Sequence, residues 1–189
     1  SVHVNEVRFA ELLVERFEAM QQVRFTNSGT EANLLALAAA THHTERIKIV
    51  VFVNGYHGGV LTFGGGDNPV NVPHDWVICH YNDLADVSSA FDEHGADIAA
   101  VLVEPMQGSG GCIAGTVPFL SGLRDLCDTH GSLLIFDEVM TSRFSTGGAQ
   151  GLLGIRPDLT TLGKYLAGGL TFGAFGGRAD VMRHFDPAA

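Results

Sequence analysis

Apolar residues recur near the start of the chain at a helical interval. Phe9, Leu13, Phe17 and Met20 are separated by four, four and three positions, while Glu11, Glu15 and Glu18 fall elsewhere around the turn. This pattern predicts a first helix with one apolar stripe. A second helix is expected to begin at Ser28-Gly29-Thr30, since Ser28 is a good N-cap. The residues that follow, Glu31-Ala32-Asn33-Leu34-Leu35-Ala36-Leu37-Ala38-Ala39-Ala40, are rich in strong helix formers. Beyond them the period changes. Short β-branched, apolar runs at 47–53, 76–79, 98–103 and 132–136 have the continuous hydrophobicity of strands buried on both faces. The stretches 82–94 and 118–130, 13 residues each, have the length that a crossover helix between parallel strands requires. Two further short strands are expected at 159–162 and 174–176.

Alternation of this kind predicts an α/β fold: a mostly parallel sheet with helices on both faces. At 189 residues, with no linker, repeat or low-complexity tract, the chain suits one domain. Ligands of such sheets gather beyond the strand ends, so residues 54–59, 104–111, 137–143 and 163–169 are where chemistry is to be sought.

Composition narrows the classes. A content of 46% hydrophobic and 17% charged residues, with 24 glycines, describes a soluble globular protein with many tight turns. A formal net charge of −10 with only 11 basic side chains argues against a nucleic-acid partner, which needs clustered Lys and Arg. The apolar runs are far shorter than the roughly 20 residues that cross a bilayer, so no membrane span is expected. Three cysteines, Cys79, Cys112 and Cys127, fit neither a disulfide framework nor a Cys-x-x-Cys metal pair, and a reducing cytoplasm is the simplest compartment. The nine histidines show no metal-ligand spacing, and no metal site is expected. The first eight residues lack the order of a signal peptide, and the chain does not start with Met; it reads as an internal piece of a longer protein.

Four positions could carry chemistry. Lys164 is one of only two lysines and lies between Leu162-Gly163 and Tyr165-Leu166 rather than on a charged face. Apolar surroundings favour an uncharged amine, the form that attacks a carbonyl to make a Schiff base. The alternative is a lysine reaching from a strand end to solvent. Asp137 closes the run Ser132-Leu133-Leu134-Ile135-Phe136, and a carboxylate at the mouth of a buried strand is costly without a cationic partner. A pyridinium nitrogen would be one, with the Asp keeping the ring protonated as an electron sink. The rival reading of Asp137-Glu138 as a metal-binding acidic pair of a nucleotide hydrolase lacks its phosphate loop, because no Gly is followed, after four intervening residues, by Gly-Lys-Ser or Gly-Lys-Thr. Ser28-Gly29-Thr30 could seat a phosphate at a helix N-terminus, or simply cap the helix. Tyr56-His57, in a turn closed by Gly58-Gly59, could lay an aromatic face on a planar ligand; a surface Tyr fits the spacing equally well. The glycines of Gly108-Ser109-Gly110-Gly111 suggest dinucleotide binding only superficially, since Ile113 stands where the third glycine belongs.

The order of these segments resembles a family. Thr26-Asn27-Ser28-Gly29-Thr30-Glu31-Ala32, Gly55-Tyr56-His57-Gly58, Val103-Glu104-Pro105, Phe136-Asp137-Glu138-Val139 and Thr161-Leu162-Gly163-Lys164 look like the successive signature blocks of class III, fold-type I aminotransferases that use pyridoxal 5'-phosphate. The resemblance runs from about residue 6 to the end. It implies that Ser28, Gly29 and Thr30 hold the cofactor phosphate and that Tyr56 stacks on the ring beside His57. It also implies that Asp137 pairs with the ring nitrogen, that Val139 packs on the other face and that Lys164 forms the Schiff base, with Glu104 near the ring. Residues 137–143 and 159–177, above all Phe172-Gly173-Ala174-Phe175-Gly176-Gly177, are most similar to aromatic β-amino-acid aminotransferases and their neighbours, the glutamate-1-semialdehyde 2,1-aminomutases. Gln107-Gly108 is followed by Ser109 rather than the acidic residue usual in ornithine- and γ-aminobutyrate-type members.

The activity so implied is transfer of an amino group between an amino acid, with β-amino acids among the candidates, and a keto acid. The alternative is intramolecular transfer of the aminomutase type, or racemisation, on the same scaffold. The family also implies a homodimer with shared active sites. This range would then be the large domain, 1–189, without an N-terminal segment, the small C-terminal domain, the neighbour-subunit phosphate loop and the usual carboxylate-binding arginines.

Overall fold

The computed structural model describes residues 3–186. The chain begins with α1 (Val4–Arg16), β1 (Gln22–Thr26) and α2 (Gly29–Thr44), then β2 (Lys48–Phe52) and β3 (Asp75–Cys79). Next come α3 (Leu84–His94), β4 (Ile98–Val103), the small pair β5 (Met106–Gln107) and β6 (Ile113–Ala114), and α4 (Val117–His130). It closes with β7 (Leu133–Asp137), α5 (Gly148–Leu153), β8 (Leu159–Gly163), β9 (Gly173–Gly177) and α6 (Ala179–Met182). Seven strands form one sheet in the order β1-β9-β8-β7-β4-β2-β3. The five from β3 to β8 run parallel, and β9 and then β1 are added antiparallel.

The expected α/β architecture follows from the pleat. Alternate residues of a strand face opposite ways, so Ile49, Val51, Leu133 and Ile135 pack under Ala36, Leu37 and Ala40 of α2. Val50, Phe52, Leu134 and Phe136 pack on the other face, against Phe91 of α3 and Phe119 and Leu123 of α4. Both faces are covered, which is why these runs are apolar at every position.

The reading of the sequence did not include the short elements β5, β6, α5 and α6, and it differs from the structure at α1, β3 and β1. Helix α1 stops at Arg16, before Phe17 and Met20; Phe17 donates its N–H to Leu13 O at 2.9 Å and Met20 donates to Phe17 O at 2.8 Å. Both side chains are buried with Leu13, so the apolar stripe continues through a turn that is no longer helical. Strand β3 lies at the sheet edge and is half-buried rather than enclosed. Strand β1 was not expected, because Gln22 and Arg24 are polar and exposed; it exists through its antiparallel pairing with β9.

The start of β8 is tied down. Buried Asp158 accepts hydrogen bonds from the Leu134 N–H and Arg124 Nη1, both at 2.7 Å, and from Arg178 Nη1 at 2.9 Å. Its own N–H donates to Leu134 O at 2.8 Å.

Candidate active site

Three adjacent parallel strands deliver three functional side chains at their C-terminal ends. Asp137 is the last residue of β7, Glu104 follows β4, and Lys164 follows β8. Neighbouring strands lie roughly 4.8 Å apart, so the pleat sets the spacing of these groups before any side chain packs. The four segments expected beyond the strand ends meet the N-terminus of α2 around one cavity of about 380 Å³.

Asp137 is the floor of that cavity and is only 4% exposed. Its Oδ2 accepts from Asn33 Nδ2 at 2.9 Å and His57 Nδ1 at 2.8 Å, and its Oδ1 accepts from the Val139 N–H at 3.0 Å. His57 is therefore not only an aromatic neighbour of the ligand: it is buried beneath the site with Nδ1 directed at the carboxylate. Glu138 turns the other way. It accepts from Thr141 Oγ1 at 2.7 Å and from the Ala149 and Gln150 N–H groups, both at 2.8 Å, at the start of α5. The two acids thus do not converge, and among the described residues no group of three or more His, Cys, Asp or Glu could hold a metal ion.

Glu104 accepts the Tyr56 N–H at 3.1 Å through Oε2 and the Gly108 N–H at 3.0 Å through Oε1, so one carboxylate clasps two loops of the wall. Burial pushes its carboxyl above the ordinary range; His57 opposes that shift and Asp137 reinforces it.

At the other end, Gly29 and Thr30 line the cavity in the first turn of α2, where backbone N–H groups have no partner within the helix. The Ser28 hydroxyl accepts the Glu31 N–H at 3.1 Å and so caps the helix, while Gly29 and Thr30 line the cavity. Two glycines let the wall close. A Cβ on Gly29 would lie 2.8 Å from Val139 Cγ2, and one on Gly58, whose φ is +132°, would lie 2.2 Å from Thr30 Oγ1.

Tyr56, Val139 and Lys164 complete the lining. Lys164 has a left-handed φ of 51°, uncommon for a residue with a Cβ and of the kind that collects at functional sites. The apolar enclosure expected for it is not found: within this chain Lys164 is exposed, and Tyr165 beside it engages Arg16 Nη2 at 2.9 Å and stacks on the Arg143 guanidinium. Lys48 lies at the opposite edge of the sheet, paired with Asp75 at 2.8 Å.

Gly58, Gly108, Ser109 and Met140 also line the cavity and fall within the segments expected beyond the strand ends, although none was assigned a role; Asn33 lies outside those segments. Asn33 carried a signal, being a polar residue inside an otherwise Ala- and Leu-rich helix.

What fold and cavity define is an α/β protein with a candidate ligand site at the C-terminal ends of a parallel sheet. Residues 67–189 match the family model of class-III aminotransferases, and the chain belongs to that family. A β-phenylalanine transaminase of Variovorax paradoxus is 59% identical over 182 residues, covering 96% of this chain and 42% of the relative. A glutamate-1-semialdehyde 2,1-aminomutase of Bordetella avium is 50% identical over 198 residues, covering 96% of this chain and 46% of the relative. The solved structure of a β-phenylalanine aminotransferase from Variovorax paradoxus superposes with a TM-score of 0.98 at 57% identity, covering 100% of this chain and 44% of that one. The chain thus spans less than half the length of the curated relatives it matches.

Proposed function

We propose that residues 1–189 form the cofactor-binding large domain of a longer pyridoxal-phosphate-dependent aminotransferase, which moves an amino group from an amino acid to a keto acid. The observation that carries this reading is Asp137, a buried carboxylate held by three donors and facing a cavity that Lys164 and the start of α2 also line. The residues fit the cofactor: one cavity is lined by a buried carboxylate for a ring N–H, an amine for a carbonyl and the first turn of a helix for a phosphate. Pyridoxal 5'-phosphate, when bound, supplies a carbonyl that condenses with amines and a protonated ring that withdraws electrons.

The chain's own groups divide the remaining work. The N–H groups of Gly29 and Thr30, at the helix end shaped by Ser28, hold the phosphate. Tyr56 and Val139 offer the faces between which a planar ring fits. By lone-pair count, two donors fill Asp137 Oδ2 and one engages Oδ1, so the acceptor position left for a ring N–H is on Oδ1. Lys164 Nζ would hold the cofactor covalently and, when free, would move the proton on the substrate's amino-bearing carbon. Glu104 holds the Tyr56 and Gly108 loops around the ring.

Identity to a β-phenylalanine transaminase supports an aromatic β-amino acid as the amino donor. The same reading has the enzyme act as a cytoplasmic homodimer, the neighbour completing a cavity that is open beside the exposed Tyr56 and Lys164. No helix among the described residues is long and apolar enough to cross a membrane. The test is incubation of the full-length enzyme with pyridoxal phosphate, an aromatic β-amino acid and an added keto acid. Appearance of the amino acid derived from the keto acid is expected. Movement of the amino group within one molecule, with no transfer to the acceptor, would favour the aminomutase alternative, and full activity in a monomer by sedimentation would remove the dimer.

A further inference from the structure

Asn33 is 1% exposed and sits on the fifth residue of α2, among the buried Ala32, Ala36 and Leu37. Asn is a weak helix former, and an amide placed there is costly unless its polar atoms are matched. All of them are engaged. Nδ2 donates to Asp137 Oδ2 at 2.9 Å and to the His57 carbonyl at 3.0 Å, while Oδ1 accepts from Thr161 Oγ1 at 2.7 Å. The orientation is fixed by chemistry: a carboxylate and a carbonyl only accept, so the NH2 must face both, and Thr161 supplies the donor that the oxygen requires.

These partners belong to three separate elements. Asp137 and Thr161 are paired residues on the adjacent strands β7 and β8, and His57 lies in the loop that also carries Tyr56. Asn33 itself lies one turn from Gly29 and Thr30. One side chain therefore connects the proposed phosphate seat, the proposed ring-nitrogen partner, the strand that leads to Lys164 and the loop of the ring wall. An Ala or Leu would suit the helix better, and neither could do this.

We propose that Asn33 is a positioning residue of the reaction: it fixes the Asp137 carboxylate in place, so that its Oδ1 remains directed at the cofactor ring nitrogen. This rests on the function proposed above. Asn33 supplies one of the two hydrogen bonds that fill Oδ2. Without it one donor is left on each oxygen, His57 on Oδ2 and the Val139 N–H on Oδ1, so the carboxylate is held less tightly and would keep the ring protonated less well.

The test uses the full-length enzyme and pyridoxal phosphate labelled with 15N in the ring, whose chemical shift reports ring protonation. Asn33→Ala should bind the cofactor about tenfold or more weakly, the scale of one lost charge-assisted hydrogen bond. Its ring-nitrogen signal should move from the protonated toward the unprotonated position. Its kcat should fall about tenfold or more, with a much smaller change in KM for the amino donor. Thr161→Val keeps the shape but removes the hydroxyl that orients the amide, so it should shift the same signal in the same direction by less, and add nothing when combined with Asn33→Ala. Should Asn33→Ala fail to fold by circular dichroism, Thr161→Val carries the test alone. Variants that only melt earlier, with wild-type affinity and ring-nitrogen shift, would reduce Asn33 to a packing role and overturn the inference. A wild-type enzyme that binds no pyridoxal phosphate would overturn the proposed function, and this inference with it.

Discussion

Gly58 makes the contact between the Tyr56 loop and α2 possible, and its replacement by Ala has a cost that can be worked from the structure. A Cβ built there meets Thr30 Oγ1 at 2.2 Å, Cγ2 at 2.5 Å and Cβ at 2.6 Å, all well inside van der Waals contact. Either Thr30 or the loop must retreat by about 1 Å, and overpacking of this kind costs about 1–3 kcal/mol. The backbone adds to it, because φ is +132° and a side chain in such a region costs a further 1–3 kcal/mol or so. The total, about 2–6 kcal/mol, is a large part of a typical domain's stability. Urea unfolding of Gly58→Ala, Thr30→Gly and the double variant separates the two causes. Thr30→Gly removes all three clashing atoms, so the double variant should recover the steric part, about 1–3 kcal/mol, and retain the backbone part. Gly59→Ala is the control, with nothing within 4 Å of its Cβ, and should change stability little. A coupling between positions 58 and 30 below about 0.5 kcal/mol would refute the reasoning.

Borohydride reduction of the holoenzyme should fix the cofactor on the peptide containing Lys164; finding it on Lys48, or on no lysine, by mass spectrometry would end the proposed role of Lys164. Lys164→Ala should abolish turnover while noncovalent binding through Thr30 and Asp137 persists in equilibrium dialysis. Asp137→Asn should still take up the cofactor but turn over about a hundredfold or more slowly, since a neutral partner no longer holds the ring proton; wild-type-like kcat would remove Asp137 from that role. For Glu104 the sign follows from burial, which raises its folded pKa above the ordinary value near 4.5. Its contribution to stability is greatest below that value and declines as pH rises through the raised one, so the stability of wild type relative to Glu104→Gln, from urea unfolding of cofactor-free protein, should fall with pH. A difference that grows with pH would contradict it.

Much of this was legible in the chain because the signals were local. The cap at Ser28, the continuous apolarity of β4 and the lengths of α3 and α4 depend on neighbours in sequence, and so do the segments beyond each strand that reach the cavity. What escaped notice depends on distant partners. Gln22 and Arg24 look like loop residues until β9 pairs with them from more than 150 positions away. Helix α5, with the sequence GAQGLL, has weak propensity and receives at its first turn the carboxylate of Glu138. The bonds of Asn33 appear only when α2 is laid over the ends of β7 and β8. Phe17 and Met20 kept the helical interval because burial, not backbone conformation, set their spacing.

The hydrogen bonds around Asp158 have a meaning for Lys164 as well. In a strand, a slip of one residue turns every side chain to the opposite face. For β8 such a slip would aim the Thr161 hydroxyl away from α2 and carry Lys164 off by a full residue, about 3.3 Å. Asp158 makes that slip expensive, because its backbone and side chain grip both polar groups of Leu134 on β7 while two arginines hold its carboxylate. The anchor is at one end of the strand and the amine at the other, like the zero mark and the reading on a ruler. An insertion or deletion before Asp158 would thus be taken up ahead of the anchor and leave the lysine in place, whereas one between Asp158 and Lys164 would displace it.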